Sequence, residues 1–404
     1  MSRNAAATAA GLATLGLVTA ACTLAWRDAS PLVPRGGGVA DGRTAWVFFL
    51  LLAAAFTAYL AGLALVRLWG VPLVVAAVLA AAVQLVPLGV PLLLSTDAWT
   101  YWAYGSIAAR EDGNPYRDEP SGFPDSPAYA HMGAAWRDTT TVYGPAFTLA
   151  SEPVALAVDA SSDAAAWTYK ALAGLASLGA SLLAARIVRE RAFAVAFVGW
   201  NPLLAVHLAG GGHNDAWVGA ALLAALALAS ARRAQAAGAV WVLAITLKWV
   251  PLVFFALRVL EARATRRVSG HLGFALAAAG VLGLATWRYG LAWLDALGEL
   301  AGNAALETSY ALPHRLEQLG IPGGVTKGLA VAAFVAGLVI LARWALRGRA
   351  RLGLAACLVL ATTPYLAVWY LAWAIPLAAA DEDRWARLGC LAFCVYLLPQ
   401  TIPL

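Results

Sequence analysis

Apolar runs of about 17 to 25 residues, the length needed to cross a hydrocarbon core, recur from one end of the chain to the other. In order they predict spans near 5–27, 44–68 and 71–94, then 144–159, 164–188, 192–209, 215–231 and 236–260. Spans near 268–288 and 323–346 follow, then a run over 352–380 that Pro364 and Pro376 should break in two, and a last helix at 385–402. The pattern predicts an all-α polytopic helical bundle, an integral membrane protein of about eleven to thirteen transmembrane segments forming one membrane domain over 1–404. The first run, Ala5 to Trp26, reads as helix one rather than a signal peptide, because no small-residue cleavage site leads into a polar mature domain.

Two polar stretches interrupt this pattern, a loop at 95–143 and a second at 290–321. With 62% hydrophobic and 12% charged residues and a mean hydropathy of +0.72, the rest of the chain has too little polar surface to cover a soluble globule. The net charge of +6 matters less than its placement. Basic residues cluster at Arg186/Arg189/Arg191, Arg232/Arg233, Arg258 to Arg267 and Arg343 to Arg351, whereas the 95–143 loop carries seven acids against three arginines. Positive residues favour the cytoplasmic side, so the 95–143 loop should be extracytoplasmic; 290–321 is expected as a second extracytoplasmic loop. Two full crossings between Tyr143 and Val188 would then place Arg186 to Arg191 outside, against the charge rule; either one segment there does not cross or the rule fails locally. Cys22, Cys357, Cys390 and Cys394 all sit inside apolar runs, which fits small buried hydrophobes and gives neither a disulfide framework nor a metal site.

The first loop opens on Asp97, one step beyond an apolar run that ends at Leu94. Trp99, Tyr101, Trp102 and Tyr104 follow on several sides of a predicted helix, which suits a segment lying along the membrane interface. Such rings can also be a plain anchoring belt. The acid is different: a carboxylate at a helix end, shielded by aromatic neighbours, is placed for a raised pKa and for taking a proton from a sugar hydroxyl. Gly113-Asn114-Pro115-Tyr116 is a turn signal, and Tyr143-Gly144-Pro145 marks return to the membrane with proline in the first turn.

Three later features carry polar chemistry into apolar surroundings. His213, Asn214 and Asp215 follow three glycines and are candidate sugar or phosphate contacts; a charge at a membrane helix end is also unremarkable by itself. Lys248 is one of only three lysines and has apolar residues on both sides. Pro251 allows a break there, so Lys248 is expected at the tip of a re-entrant hairpin whose two ends face the basic clusters, as a cation for a lipid phosphate; the alternative is a lysine snorkelling to the interface. In the second loop His314 and Arg315 suit a phosphate clamp. Glu152, followed by proline, is a second buried-charge candidate without an assigned role.

The order of DAWTYWAYG after a helix, GNPY, and VYGP opening the next helix resembles the first outer loop of polyprenol-phosphate-sugar-dependent glycosyltransferases of the GT-C type. It is most similar to the actinobacterial polyprenol-phosphomannose-dependent alpha-1,6-mannosyltransferases. GGHND at 211–215, LKWVP at 247–251 and PY through WYLAW at 364–373 agree, and the resemblance covers roughly residues 90–380. It implies a GT-C fold whose extracytoplasmic first loop is catalytic, with Asp97 as general base. Substrate-binding candidates are Tyr101, Tyr116, Tyr143, His213, Asn214, Asp215, Lys248, His314, Arg315, Trp369 and Tyr370. The implied partners are a polyprenyl phosphate-linked mannose donor, a cell-envelope glycan or glycolipid acceptor and membrane lipids, with no nucleic acid. No cofactor is expected: Asp97 has no neighbouring carboxylate in sequence for a two-acid metal motif, although a divalent metal stays open. The alternative reading is a secondary transporter or lipid-linked-sugar flippase, with Lys248 marking a substrate path; its expected sign, duplicated interrupted helices in two halves, is not found.

Overall fold

The computed structural model describes residues 3–34, 42–266, 270–303 and 306–404, and every regular element among them is helical. Arg267, at the edge of one predicted basic cluster, lies outside the described residues.

Helix α1 (Arg3–Thr23) and α2 (Gly42–Trp69) form an antiparallel pair, and α3 (Leu73–Leu85) packs on α1. The 71–94 run is not one helix. It ends in a 3-10 turn at Val86–Gly89 containing Pro87, and then an extended stretch in which Leu94 N–H donates to Leu32 O (2.8 Å) and Leu93 N–H to Gly210 O (3.0 Å). Next come α4 (Asp97–Ala109), α5 (Pro145–Val158) and α6 (Ser162–Ile187), the last capped by the Ser161 hydroxyl accepting from Ala164 N–H.

The predicted 192–209 span is broken into α7 (Arg191–Gly199) and α8 (Pro202–Gly210), bent by 45°. Asn201 caps the second piece by accepting from Leu203 and Leu204 N–H, and Pro202 has no N–H to continue the first. After α9 (Asp215–Ser230), the 236–260 run divides into α10 (Ala234–Leu247) and α11 (Pro251–Ala264). Trp241 and Phe255, each seven residues from Lys248, meet at 5.5 Å between ring centres, so the two helices fold back as a hairpin with Lys248 at its tip.

Helix α12 (His271–Tyr289), two short helices α13 (Ala296–Asn303) and α14 (Leu312–Gln318), and α15 (Gly323–Ala345) follow. The run at 352–380 breaks once. Pro364 closes α16 (Leu352–Thr362), while Pro376 is carried inside α17 (Leu371–Ala380); α18 (Arg384–Leu397) is last, capped by Asp383.

Among the described residues five helices, α1, α2, α6, α12 and α15, are long and apolar enough to cross a membrane, or six if the bent pair counts as one span. The count of eleven to thirteen treated every apolar run as a full crossing. Several of those runs are helices of 10–17 residues; at 1.5 Å per residue the 16-residue α9 rises only about 24 Å. Two of them end on one polar cluster: α9 starts at Asp215 and α10 stops one residue before its partner Lys248.

The chain has two chemically different ends. At one end Glu382 accepts from Arg189 N–H (3.2 Å), Arg387 pairs with Glu190 (3.3 Å), Arg351 with Asp383 (2.6 Å), and Glu261 accepts from Ala350 N–H (3.2 Å). These contacts draw the basic turns α6–α7, α15–α16 and α17–α18 and the end of α11 together. The 95–143 loop lies at the other end. Helix α5 begins against the end of α10 (Gly144 N–H to Leu247 O, 3.3 Å), and Arg110, at the end of α4, bonds Ala155 O (3.2 Å) and Asp159 (2.7 Å). Trp99 Nε1 then donates to Ser162 O, where α6 starts (2.9 Å). Both ends of α5 therefore stay on the Asp97 side, and α6 alone carries the chain to Arg186–Arg191. That removes the conflict between the charge rule and two crossings.

Candidate functional site

The site assembles where interrupted helices meet. Asp97 is the first residue of α4, its N–H held by Ser95 Oγ at 3.1 Å, and a carboxylate in a first helical turn is favoured by the helix dipole. The aromatic rings of α4, expected to meet the membrane interface, are turned into the protein instead. Trp99, Tyr101, Trp102 and Tyr104 are all buried, because the rest of the loop folds over them: His131 packs on Trp99 at 5.5 Å, and Tyr104 Oη donates to Thr139 O at 3.0 Å.

His213, Asn214 and Asp215 are delivered by Gly212, whose φ of +71° turns the chain sharply out of α8 into α9. His213 Nδ1 stands 3.2 Å from Asp97 Oδ2, and its ring is stacked on Trp369 at 3.9 Å and 13°. Tyr101 Oη is 3.3 Å from both Asp97 Oδ2 and Asn214 Oδ1. A phenol has one proton, so both contacts are satisfied when Asn214 presents its NH2 group and the hydroxyl donates to Asp97. Burial pushes the Asp97 carboxyl up, but His213, the Lys248 charge and Ser95 together bring it below the ordinary aspartate value. The raised pKa expected from aromatic shielding is thus corrected: a cationic and hydrogen-bonding environment outweighs desolvation. The Asp97 side chain keeps 18% of its surface open, enough for a substrate hydroxyl to reach it.

Lys248 does not snorkel to the far end. Its Nζ lies 2.9 Å from both oxygens of Asp215, which is fully buried and also accepts from Trp373 Nε1 at 3.0 Å. Lys248 also sits 4.8 Å above the Tyr370 ring. Two close backbone contacts fix this geometry. A Cβ on Gly144 would stand 2.1 Å from Thr246 O, and one on Gly219 2.2 Å from Ala372 O, so α5 seats directly on the hairpin and α9 directly on α17.

Nine of the twelve site residues read from the sequence meet here: Asp97, Tyr101, Tyr143 (5.2 Å from the Tyr101 ring), His213, Asn214, Asp215, Lys248, Trp369 and Tyr370. The structure places Tyr116 elsewhere, donating to Tyr143 O (3.1 Å) and bonded to Thr148 Oγ (2.8 Å), as a support beneath Tyr143. His314 lies between Glu307 (3.1 Å) and Glu317 (3.4 Å), and Lys327 holds Glu307 at 2.8 Å. Among the described residues these three, Glu307, His314 and Glu317, could hold a metal ion, and Asp97 is not among them. Arg315 bonds Tyr396 Oη (3.3 Å) and Gln318 (2.7 Å). Their loop is tied to the site wall, since Thr308 Oγ donates to Leu366 O and accepts from Leu366 N–H, both at 2.9 Å, three residues before Trp369.

Sequence reasoning missed the role of Trp373 in holding Asp215, although WYLAW places it four residues, one helical turn, beyond Trp369. It also left Glu152 unexplained. Glu152 accepts from Arg288 Nε (3.1 Å) and from Tyr289 Oη, and Arg288 reaches Ala108 O, so the acid latches α5 and α4 to the end of α12. Asn114 of the GNPY turn joins this latch through Tyr289 O at 2.9 Å.

A helical membrane protein with an acid from a polar loop facing polar groups at the tips of half-length helices is the class this fold and site define. The chain belongs to the family of alpha-(1->6)-mannopyranosyltransferases: the family's N-terminal domain matches residues 6–264. Two curated relatives are both named alpha-(1->6)-mannopyranosyltransferase A. The one from Corynebacterium glutamicum is 26% identical, the match covering 55% of this chain and 50% of the relative. The one from Mycobacterium tuberculosis is 32% identical over 34% of this chain and 28% of the relative. The chain thus spans half or less of the curated relatives it matches. No solved structure matches it. Trp369, Tyr370 and Trp373 lie beyond the family match, so the site combines matched and unmatched parts of the chain.

Proposed function

We propose that the protein transfers mannose from a polyprenyl phosphomannose donor to an acceptor hydroxyl of a cell-envelope glycan or glycolipid, on the extracytoplasmic side. The observation that carries this reading is the partly open Asp97 carboxylate, held by His213 and Tyr101 at the mouth of a buried polar cluster. The acceptor oxygen attacks the anomeric carbon as the bond from that carbon to the phosphate oxygen breaks. Its proton passes to Asp97, and the lipid phosphate leaves with the bonding pair. A carboxylate of lowered pKa suits late proton transfer, when bond formation to carbon has made the hydroxyl acidic.

Lys248 reads differently from a free phosphate cation. Its charge is balanced by Asp215, so it serves chiefly to set that carboxylate and the Tyr370 face, and a phosphate would draw on it only by sharing it. Arg315, with no carboxylate partner among the described residues, is the better candidate for the leaving phosphate.

The test is transfer of labelled mannose from polyprenyl phosphomannose in membranes, scored beside expression. Asp97→Asn should cut turnover by about 100- to 10,000-fold with donor binding retained. Asp112, exposed in the same loop, is the control, and Asp112→Asn should stay within a few fold. Near wild-type transfer in Asp97→Asn would move the base elsewhere. Lipid-linked sugar crossing the bilayer without any transfer would turn the reading to a flippase.

A further inference from the structure

We propose that the protein carries a binding site for an anionic glycerophospholipid at the end opposite Asp97, between the two legs of the Lys248 hairpin. A cavity of about 660 Å³ opens there, bounded by α10, α11, the start of α12 and the α9–α10 turn. That turn stands one full helix length from the site: α9 starts at Asp215 and α10 ends beside Lys248, so about 20 Å of helix separates the cavity mouth from the polar cluster.

The lining has two chemistries in the order a lipid needs. Arg232, Arg258 and His271 stand at the mouth, and Trp241, Phe255 and Phe274 form the inner wall, with the two Phe rings stacked at 4.8 Å. Arg258 is shared with Glu261, but Arg232 has no carboxylate partner among the described residues, so the mouth keeps a net positive charge. A phosphodiester headgroup matches that charge, and its glycerol and upper chain carbons match the aromatic wall. Basic pockets between helices on the cytoplasmic face are where anionic headgroups bind. Close packing makes the cavity a built feature: a Cβ on Gly238 would stand 2.1 Å from Gly270 O, and one on Gly273 2.0 Å from Gln235 O, so α12 lies backbone to backbone on α10 and cannot close over the space by sliding.

The site is independent of sugar transfer, and its test needs no activity. The purified full chain is placed in nanodiscs of phosphatidylcholine with or without phosphatidylglycerol, and retained lipid is read by native mass spectrometry and thermal stability. Wild-type protein should hold one phosphatidylglycerol selectively and melt higher with it. Arg232→Gln with His271→Gln should lose at least tenfold of that retention and the whole thermal shift, while melting as wild type does in phosphatidylcholine alone. If the pair unfolds, Arg232→Gln alone and an aromatic-wall variant, Phe274→Leu, read the same retention. Equal retention of both lipids by wild type, or unchanged retention in the variants, would overturn the proposal. So would displacement by inorganic phosphate, which would mean a free anion, or by polyprenyl phosphate, which would mean a second donor site.

Discussion

Asp97 and Asp215 show how the same charge type acquires different work from its immediate partners. Asp97 is ionised because His213 and Lys248 outweigh its burial. A carboxyl whose pKa is depressed keeps its charge until the pH falls through that lowered value, so Asp97 should leave the transfer rate flat from about pH 5 to about pH 8. A pH profile of transfer with saturating donor checks this; an acid limb near neutrality that survives in other site variants would mean a different base. Lys248→Met should strip the fully buried Asp215 of its cation and destabilise the protein by about 3–5 kcal/mol. Adding Asp215→Asn should recover much of that loss in a thermal melt. Transfer measured in the folded double variant then separates charge from fold. Aromatic shielding was legible around Asp97 in the sequence, but the direction of its pKa was not, because His213 lies more than a hundred residues away along the chain and only folding brings it within 3.2 Å.

Between single side chains and the whole bundle, the informative units are the broken helices. The tip at Lys248 was readable from a lone lysine followed by proline in an apolar run, and the fold-back appears as Trp241 against Phe255. The stopping depth of the other short helices was hidden, since hydropathy does not record where a partner's backbone blocks the way. Gly144→Val tests this: its side chain would overlap Thr246 O, lift α5 off the hairpin and abolish transfer together with the native melt. Tyr116→Phe is the milder counterpart. It removes the bonds to Tyr143 O and Thr148 Oγ, which should cost about 1 kcal/mol in stability and leave transfer within a few fold, measured side by side. A larger loss of transfer would mean that Tyr143 must be held tightly for the chemistry.

Across the whole molecule, charge separation between the two ends was the strongest signal in the sequence, and α5 was its hardest consequence to read. A fourteen-residue, mostly apolar helix opening on proline looks like a short span; the contacts of Gly144 and Arg110 return both of its ends to one side. A cysteine at exposed Asp125 should therefore react with an impermeant thiol reagent in intact cells, and one at exposed Ser230 only after lysis. The reverse result would invert the orientation. The scarcity of lysine has a further use. Lys170 is buried against backbone carbonyls, Lys248 is 21% exposed in its ion pair, and Lys327 is 55% exposed. Among its side chains an amine-directed label therefore meets few targets: one bright surface lysine as an internal standard and one dim lysine inside the site. The ratio of the two, read by peptide mass, becomes a stopwatch for substrate occupancy that needs neither a radioactive sugar nor a purified acceptor.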